Sequence, residues 1–273
     1  MTVAEFNSSW EVFDNWFIDS NETNQFDWQV FLELQPYHKK IIEGQYKQIH
    51  PLLNRWNKKL GVLGNDPTYY DWSKFRPLRL SREEDWSDWF AHLIDTSTTG
   101  SFAAHLFQNP DFNKEDYINP KNITREEVCN NYRSDVIIGW AKNYFFHIEI
   151  KTGDPDLLKT FATSKVFMLK YDATVRTWTN YILLLSSQLP DWYEVVEGVE
   201  SKTLVTPITW EDVSISLRKA LFSKEYVTWK VWAYTFIGAI EQLLIGFKGN
   251  LIESKPTENL DIKIDILERG LSK

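Results

Sequence analysis

The chain has 273 residues, of which 43% are hydrophobic and 25% charged. That is ordinary globular usage, and it excludes a largely disordered chain, a collagen-like repeat and a small disulfide scaffold. The formal net charge of -8 argues against indiscriminate coating of nucleic acid, because that affinity comes mostly from Lys and Arg on phosphate.

The first segment looks helical and aromatic. Phe26, Val30 and Leu34 recur every four residues, and Trp28, Phe31 and Leu32 widen the face. Pro36 is expected to end that helix or begin another. From Tyr37 to Leu60, Ile41, Ile42, Tyr46, Ile49, Leu52, Leu53 and Trp56 keep an approximate helical period, with a kink or new turn expected at Pro51. Lys39, Lys40, Lys47, Arg55, Lys58 and Lys59 are interspersed with it, as a solvated face or as a DNA-facing patch. Gly64, Asn65, Asp66 and Pro67 then break the pattern. Residues 1–75 are thus expected to form a helical N-terminal extension, and 76–273 the main domain.

Next comes a helix with Ser81 as its expected N-cap and Glu84 completing a capping box. Trp86, Trp89, Phe90, Leu93 and Ile94 form its apolar face, and residues 109–124 read as a long polar loop. The period then changes. Asp135 to Trp140 is a β-branched run, Ala141 to Asn143 supply a turn, and Tyr144 to Lys151 alternate, which predicts a β-hairpin. Residues 156–171 read as a helix, and 181–186 as a buried central strand. Thr209 opens another helix with acidic residues in its first turn, and 227–246 form a long apolar helix. This order predicts an α/β fold with a mixed central sheet flanked by helices.

The remaining composition narrows the setting. The single cysteine, Cys129, allows no intrachain disulfide and no Cys-based zinc site. Residues 1–15 lack the pattern of a signal peptide, and Val227 to Phe247 carries Lys230 and Glu241 and is too short in its apolar part to span a bilayer. A soluble cytoplasmic protein without a membrane partner is expected.

The hairpin carries the chemistry. Glu149 and Lys151 are two apart on one strand, so they project from the same face. If the hairpin turns at 141–143, Asp135 lies across from the region of Glu149. Two carboxylates would then converge beside a cation, which suits metal-assisted phosphodiester hydrolysis. Hard oxygen ligands hold Mg²⁺, with the Ile150 carbonyl as a further donor, and the lysine stabilises developing negative charge. Each residue also has a plain structural account: a solvated strand pair for Glu149 and Lys151, a turn residue for Asp135, a cap for Glu84. His147 alternates onto the side of Glu149 and reads as structural, as do His92 and His105.

Asp135, then Glu149-Ile150-Lys151, with an acidic helix before and a helix and apolar strand after, resembles the PD-(D/E)XK nuclease superfamily over residues 80 to 190. Ser134 stands where the motif's name has Pro. The resemblance implies a restriction-endonuclease-like core, with Asp135 and Glu149 binding Mg²⁺ (Mn²⁺ may substitute) and Lys151 catalytic. It also implies an acidic residue from the first helix, for which Glu84 is chosen ahead of Glu83 and Asp88. Lys165 is the candidate basic residue on the following helix. Arg76, Arg79 and Arg82, next to that acidic helix in sequence, are candidate contacts to nucleic acid. The function so implied is a metal-dependent endonuclease on DNA, expected double-stranded, in restriction, anti-phage defence or repair. A homodimer would suit cutting both strands. The alternative is a non-catalytic α/β binding subunit of a nucleic-acid or defence complex.

Overall fold

The computed structural model describes residues 28–70, 72, 80–153, 157–171, 177–189, 205–247 and 260–272. The chain divides into two compact units, Met1–Gly44 and Gln45–Lys273, and everything below from Gln45 onward belongs to the second. Helix α1 spans Trp28–Leu60 without stopping at Pro36 or Pro51. Its buried face, Ile49, Leu52, Leu53, Trp56 and Leu60, holds the helix through Pro51. Pro51 and Lys47 are exposed, so water can reach the carbonyl that loses its helical partner.

Helices α2 (Glu83–Asp95) and α3 (Ser101–Phe107) precede the sheet. The start of α2 differs by one residue from the expected cap. Arg82 is the N-cap, and the Asp85 carboxylate accepts from the backbone N–H groups of Ser81 and Arg82, both at 3.0 Å. Asp85 therefore takes the capping role expected of Glu84, whose side chain is free to turn elsewhere.

Five strands follow in the order β1-β2-β3-β4-β5. They are β1 (Asn122–Cys129), β2 (Tyr132–Gly139), β3 (Tyr144–Ile150), β4 (Thr177–Leu184) and β5 (Val205–Thr209). The first three are antiparallel, and β4 and β5 join in parallel, so the sheet is mixed. Asn130 and Asn131, with φ of 48° and 66°, close the β1–β2 hairpin, in the left-handed region that Asn tolerates. The expected turn at 141–143 joins β2 to β3. Helix α4 (Leu157–Tyr171) makes the crossover that a parallel β3–β4 pair requires. Beyond the sheet lie α5 (Trp210–Ala220), α6 (Val227–Ala239), which continues as a π-helical turn over Ile240–Leu244, and α7 (Leu260–Leu271).

One face of the sheet presents Val136, Ile138, Phe146, Ile148, Ile150, Tyr181 and Leu183 to the main core, with Trp86, Phe90, Trp210 and Phe236. The other face buries Ile182, Leu184 and Val205 against Phe161 of α4. Strand β4 is thus covered on both sides, which is why its sequence is an unbroken apolar run. The tryptophans of the described helices largely follow this plan. Trp56, Trp86 and Trp229 are buried, whereas Trp232 is 41% exposed against Trp89. Among the described residues, no helix is long and apolar enough to cross a membrane.

Candidate functional site

The β2–β3 register aligns Val136 with Ile148, so one step further along Asp135 comes opposite Glu149. Both carboxylates are buried, at 8% and 4% exposure. The Ile150 amide donates to Asp135 Oδ2 at 2.7 Å, so it is this N–H that the structure brings to the aspartate. Lys151 follows β3 directly. Its N–H donates to Leu183 O at 2.9 Å, and its carbonyl accepts from Trp210 Nε1 at 2.8 Å. Its backbone is therefore fixed from both sides while Nζ reaches Glu149 Oε2 at 3.8 Å and Glu83 Oε2 at 3.6 Å.

Glu83, rather than Glu84, is the acidic residue that α2 delivers to Lys151. Its second oxygen accepts from Thr152 N at 3.1 Å. Glu84 instead pairs with Arg133 at 3.0 Å and lies 3.8 Å from Arg82, and Asp88 pairs with Arg125. Neighbouring positions on an α-helix lie about 100° apart around the axis, so Glu83 and Glu84 face different partners. Arg82 is largely exposed at the N-cap, and Lys165 is exposed on α4. Arg76 and Arg79 lie outside the described residues.

The electrostatics are unbalanced. Glu83, Asp135 and Glu149 crowd a single ammonium, and burial together with the Glu149 charge pushes the Asp135 carboxyl up to about 7. Burial pulls the Lys151 ammonium down, but Asp135, Glu149 and Glu83 outweigh it and hold its pKa above the usual lysine value. Glu149 Oε1 is buried without a hydrogen-bond partner.

Two neighbours were not visible in the sequence pattern. Glu126 sits across from Asp135 on the β1 side, between the ladder pairs Arg125–Val136 and Glu127–Ser134, and has a φ of 54°. That left-handed backbone is strained for a glutamate. Arg133 joins it to α2, holding Glu126 at 2.8 Å and Glu84 at 3.0 Å. The other is Asn180, paired in register with His147 across β3–β4.

Among the described residues, no three His, Cys, Asp or Glu side chains stand together as a ready metal cage. The donor set nonetheless fits a hard divalent ion. Mg²⁺ is commonly held by one or two carboxylates, with waters and substrate phosphate completing its shell. A buried carboxylate pair with excess negative charge and an unpartnered oxygen suits such an ion. Compared with known proteins, the chain matches no family model, no curated protein and no solved structure.

Proposed function

We propose that the protein is a divalent-metal-dependent nuclease with a restriction-endonuclease-like core, hydrolysing phosphodiester bonds in DNA. The observation that carries this is the pairing of Asp135 with Glu149 across β2–β3, with Lys151 beside them. The mixed sheet order, antiparallel through β3 and parallel beyond it, supports the same reading.

Asp135 and Glu149 would hold the ion. When bound, Mg²⁺ polarises a phosphoryl oxygen and lowers the pKa of bound water. Lys151, positioned by Glu83 and by its fixed backbone, places an ammonium where negative charge develops on the phosphoryl oxygens. Asp135, whose carboxyl is raised to about 7, would hold the ion as the carboxylate, so its proton would be released on binding. The excess negative charge of the site disfavours a phosphate until a cation is present, which ties substrate binding to metal binding.

The test is cleavage of plasmid, single-stranded DNA and RNA with Mg²⁺ and with EDTA. Asp135→Ala, Glu149→Ala and Lys151→Ala each lower the rate on DNA by about 100-fold or more while leaving the circular dichroism spectrum unchanged. Wild-type rates in Glu149→Ala and Lys151→Ala would falsify the proposal.

A further inference from the structure

We infer that the cavity between α3, β5, α5 and α7 is a binding site for a small phosphate monoester with an apolar or aromatic body. The cavity has a volume of about 290 Å³, and none of its lining residues belongs to the Asp135, Glu149 and Lys151 cluster. That volume lies at the small end of ligand cavities. One helix face builds much of it. Asp212, Ile215, Ser216 and Lys219 all line the cavity, and their spacing puts them on a single stripe of α5.

The polar part of the lining favours an anion. Asp212 is already neutralised, because Oδ1 accepts from Arg269 Nη2 at 2.8 Å and Oδ2 accepts from Thr209 Oγ1 at 2.7 Å. Among the described residues, the Lys219 ammonium has no carboxylate partner. His105, from α3, is held below the usual histidine value by burial and by the charges of Lys219 and Lys114, so positive charge reaches across the cavity without being cancelled. Ser216 is only 4% exposed, and its hydroxyl has no hydrogen-bond partner among the described residues. A buried hydroxyl left unpaired is costly, and a ligand oxygen beside it would remove that cost.

The same lining separates phosphate from carboxylate. A guanidinium recognises a carboxylate through its fork, but the fork of Arg269 is taken by Asp212 and by Asp265 at 3.1 Å. The open cation is the Lys219 ammonium, a point charge of the kind that pairs with phosphate. Phe107, Tyr181 and Ile208 supply an apolar wall for the body of the ester.

The experiment is isothermal titration calorimetry of the full chain with phenyl phosphate, inorganic phosphate and benzoate, in EDTA so that no divalent ion takes part. Phenyl phosphate binds about tenfold or more tightly than inorganic phosphate, through burial of its ring, and more tightly than benzoate. Lys219→Met weakens phenyl phosphate binding by about 10- to 100-fold, and Ser216→Ala by about three- to tenfold. Asp135→Ala binds like wild type, so the outcome does not depend on the nuclease reading. Thermal unfolding is followed in parallel, and Ser216→Ala, which removes one oxygen, keeps the test open if Lys219→Met unfolds. No binding of phenyl phosphate to wild type at millimolar concentration would overturn the inference. So would benzoate binding as tightly as phenyl phosphate, affinity unchanged in Ser216→Ala and in a folded Lys219→Met, or binding that Asp135→Ala abolishes.

Discussion

The molecule carries two charge clusters, one wholly buried and one partly open, and they are built on opposite principles. In one, Arg218 donates to Asp66 at 2.7 Å and to Glu241 at 2.7 and 2.9 Å, and Lys263 pairs with both carboxylates. Thr68 and Ser214 supply further hydrogen bonds, and Trp56 covers the guanidinium at 4.7 Å. Two cations meet two anions, and all four side chains are buried at 0–2% exposure. In the other, Glu83, Asp135 and Glu149 share Lys151, and Glu149 Oε1 has no hydrogen-bond partner. The balanced cluster ties α5, the π-helical turn and α7 to the loop at Asp66. The unbalanced one leaves a carboxylate uncompensated, and such a group holds on to its proton, as the raised Asp135 does.

Acidity separates them with opposite signs. Burial raises the carboxyls of Asp66 and Glu241, but Arg218 and Lys263 prevail and hold both below the usual range. Their stabilisation is present above the unfolded pKa of about 4 and is lost as pH falls below it. Asp135 is raised to about 7, so the folded state keeps a proton there that the unfolded chain has already released. Its contribution is neutral below about pH 4 and turns destabilising as pH rises from there towards 7.

The largest effect comes from breaking the balanced cluster. Arg218→Met strands two carboxylates against one ammonium and costs about 3–5 kcal/mol, read by urea unfolding at neutral pH. Relieving the unbalanced cluster moves stability the other way. Asp135→Asn raises metal-free stability at pH 7.5, and its advantage over wild type shrinks as pH falls towards 4. On the proposed metal-dependent reading, Mg²⁺ narrows the gap at pH 7.5, because an ion that binds only the folded protein stabilises wild type. An unchanged or lower stability in Asp135→Asn at pH 7.5 would mean that the carboxylate pair is not under strain. The smallest effect distinguishes adjacent residues. Glu83→Gln lowers DNA cleavage by about tenfold through Lys151, whereas Glu84→Gln leaves cleavage alone and shifts stability by about 0.5 kcal/mol or less. The reverse ranking would return the role to Glu84.

The parts visible in the sequence were those with strong local periodicity. The β2–β3 hairpin, with Asp135 opposite Glu149, followed from alternation and a short turn, and α4, β4, α5 and α6 followed from apolar runs and caps. Strand β1 was missed because Arg125, Glu126 and Glu127 make it read as loop, although Asn130-Asn131 is a hairpin turn pair. Strand β5 carries Pro207, tolerated at the sheet edge but discouraging in sequence. Helix α3, at seven residues, is too short to show a period. Glu84 was preferred to Glu83 as the first-helix acidic residue because Ser81 offered a good cap, yet Asp85 does the capping and Glu83 is the one that reaches Lys151. His147, expected to be structural, is fully buried beside Asn180, a neighbour that only β3–β4 pairing brings alongside. The balanced cluster joins Asp66 to residues more than 150 positions away, a relation no local pattern encodes.

The full burial of Asp66, Arg218, Glu241 and Lys263 has a practical corollary. Dissolved ions screen exposed charges over about 10 Å at 0.1 M, but they do not reach between side chains from which solvent is excluded. The scaffold should therefore hold its melting temperature as potassium chloride is raised, while any grip on a polyphosphate backbone weakens with each increment. If the proposed nuclease reading holds, ionic strength separates the two: raised, it loosens a bound polyphosphate and leaves the frame alone.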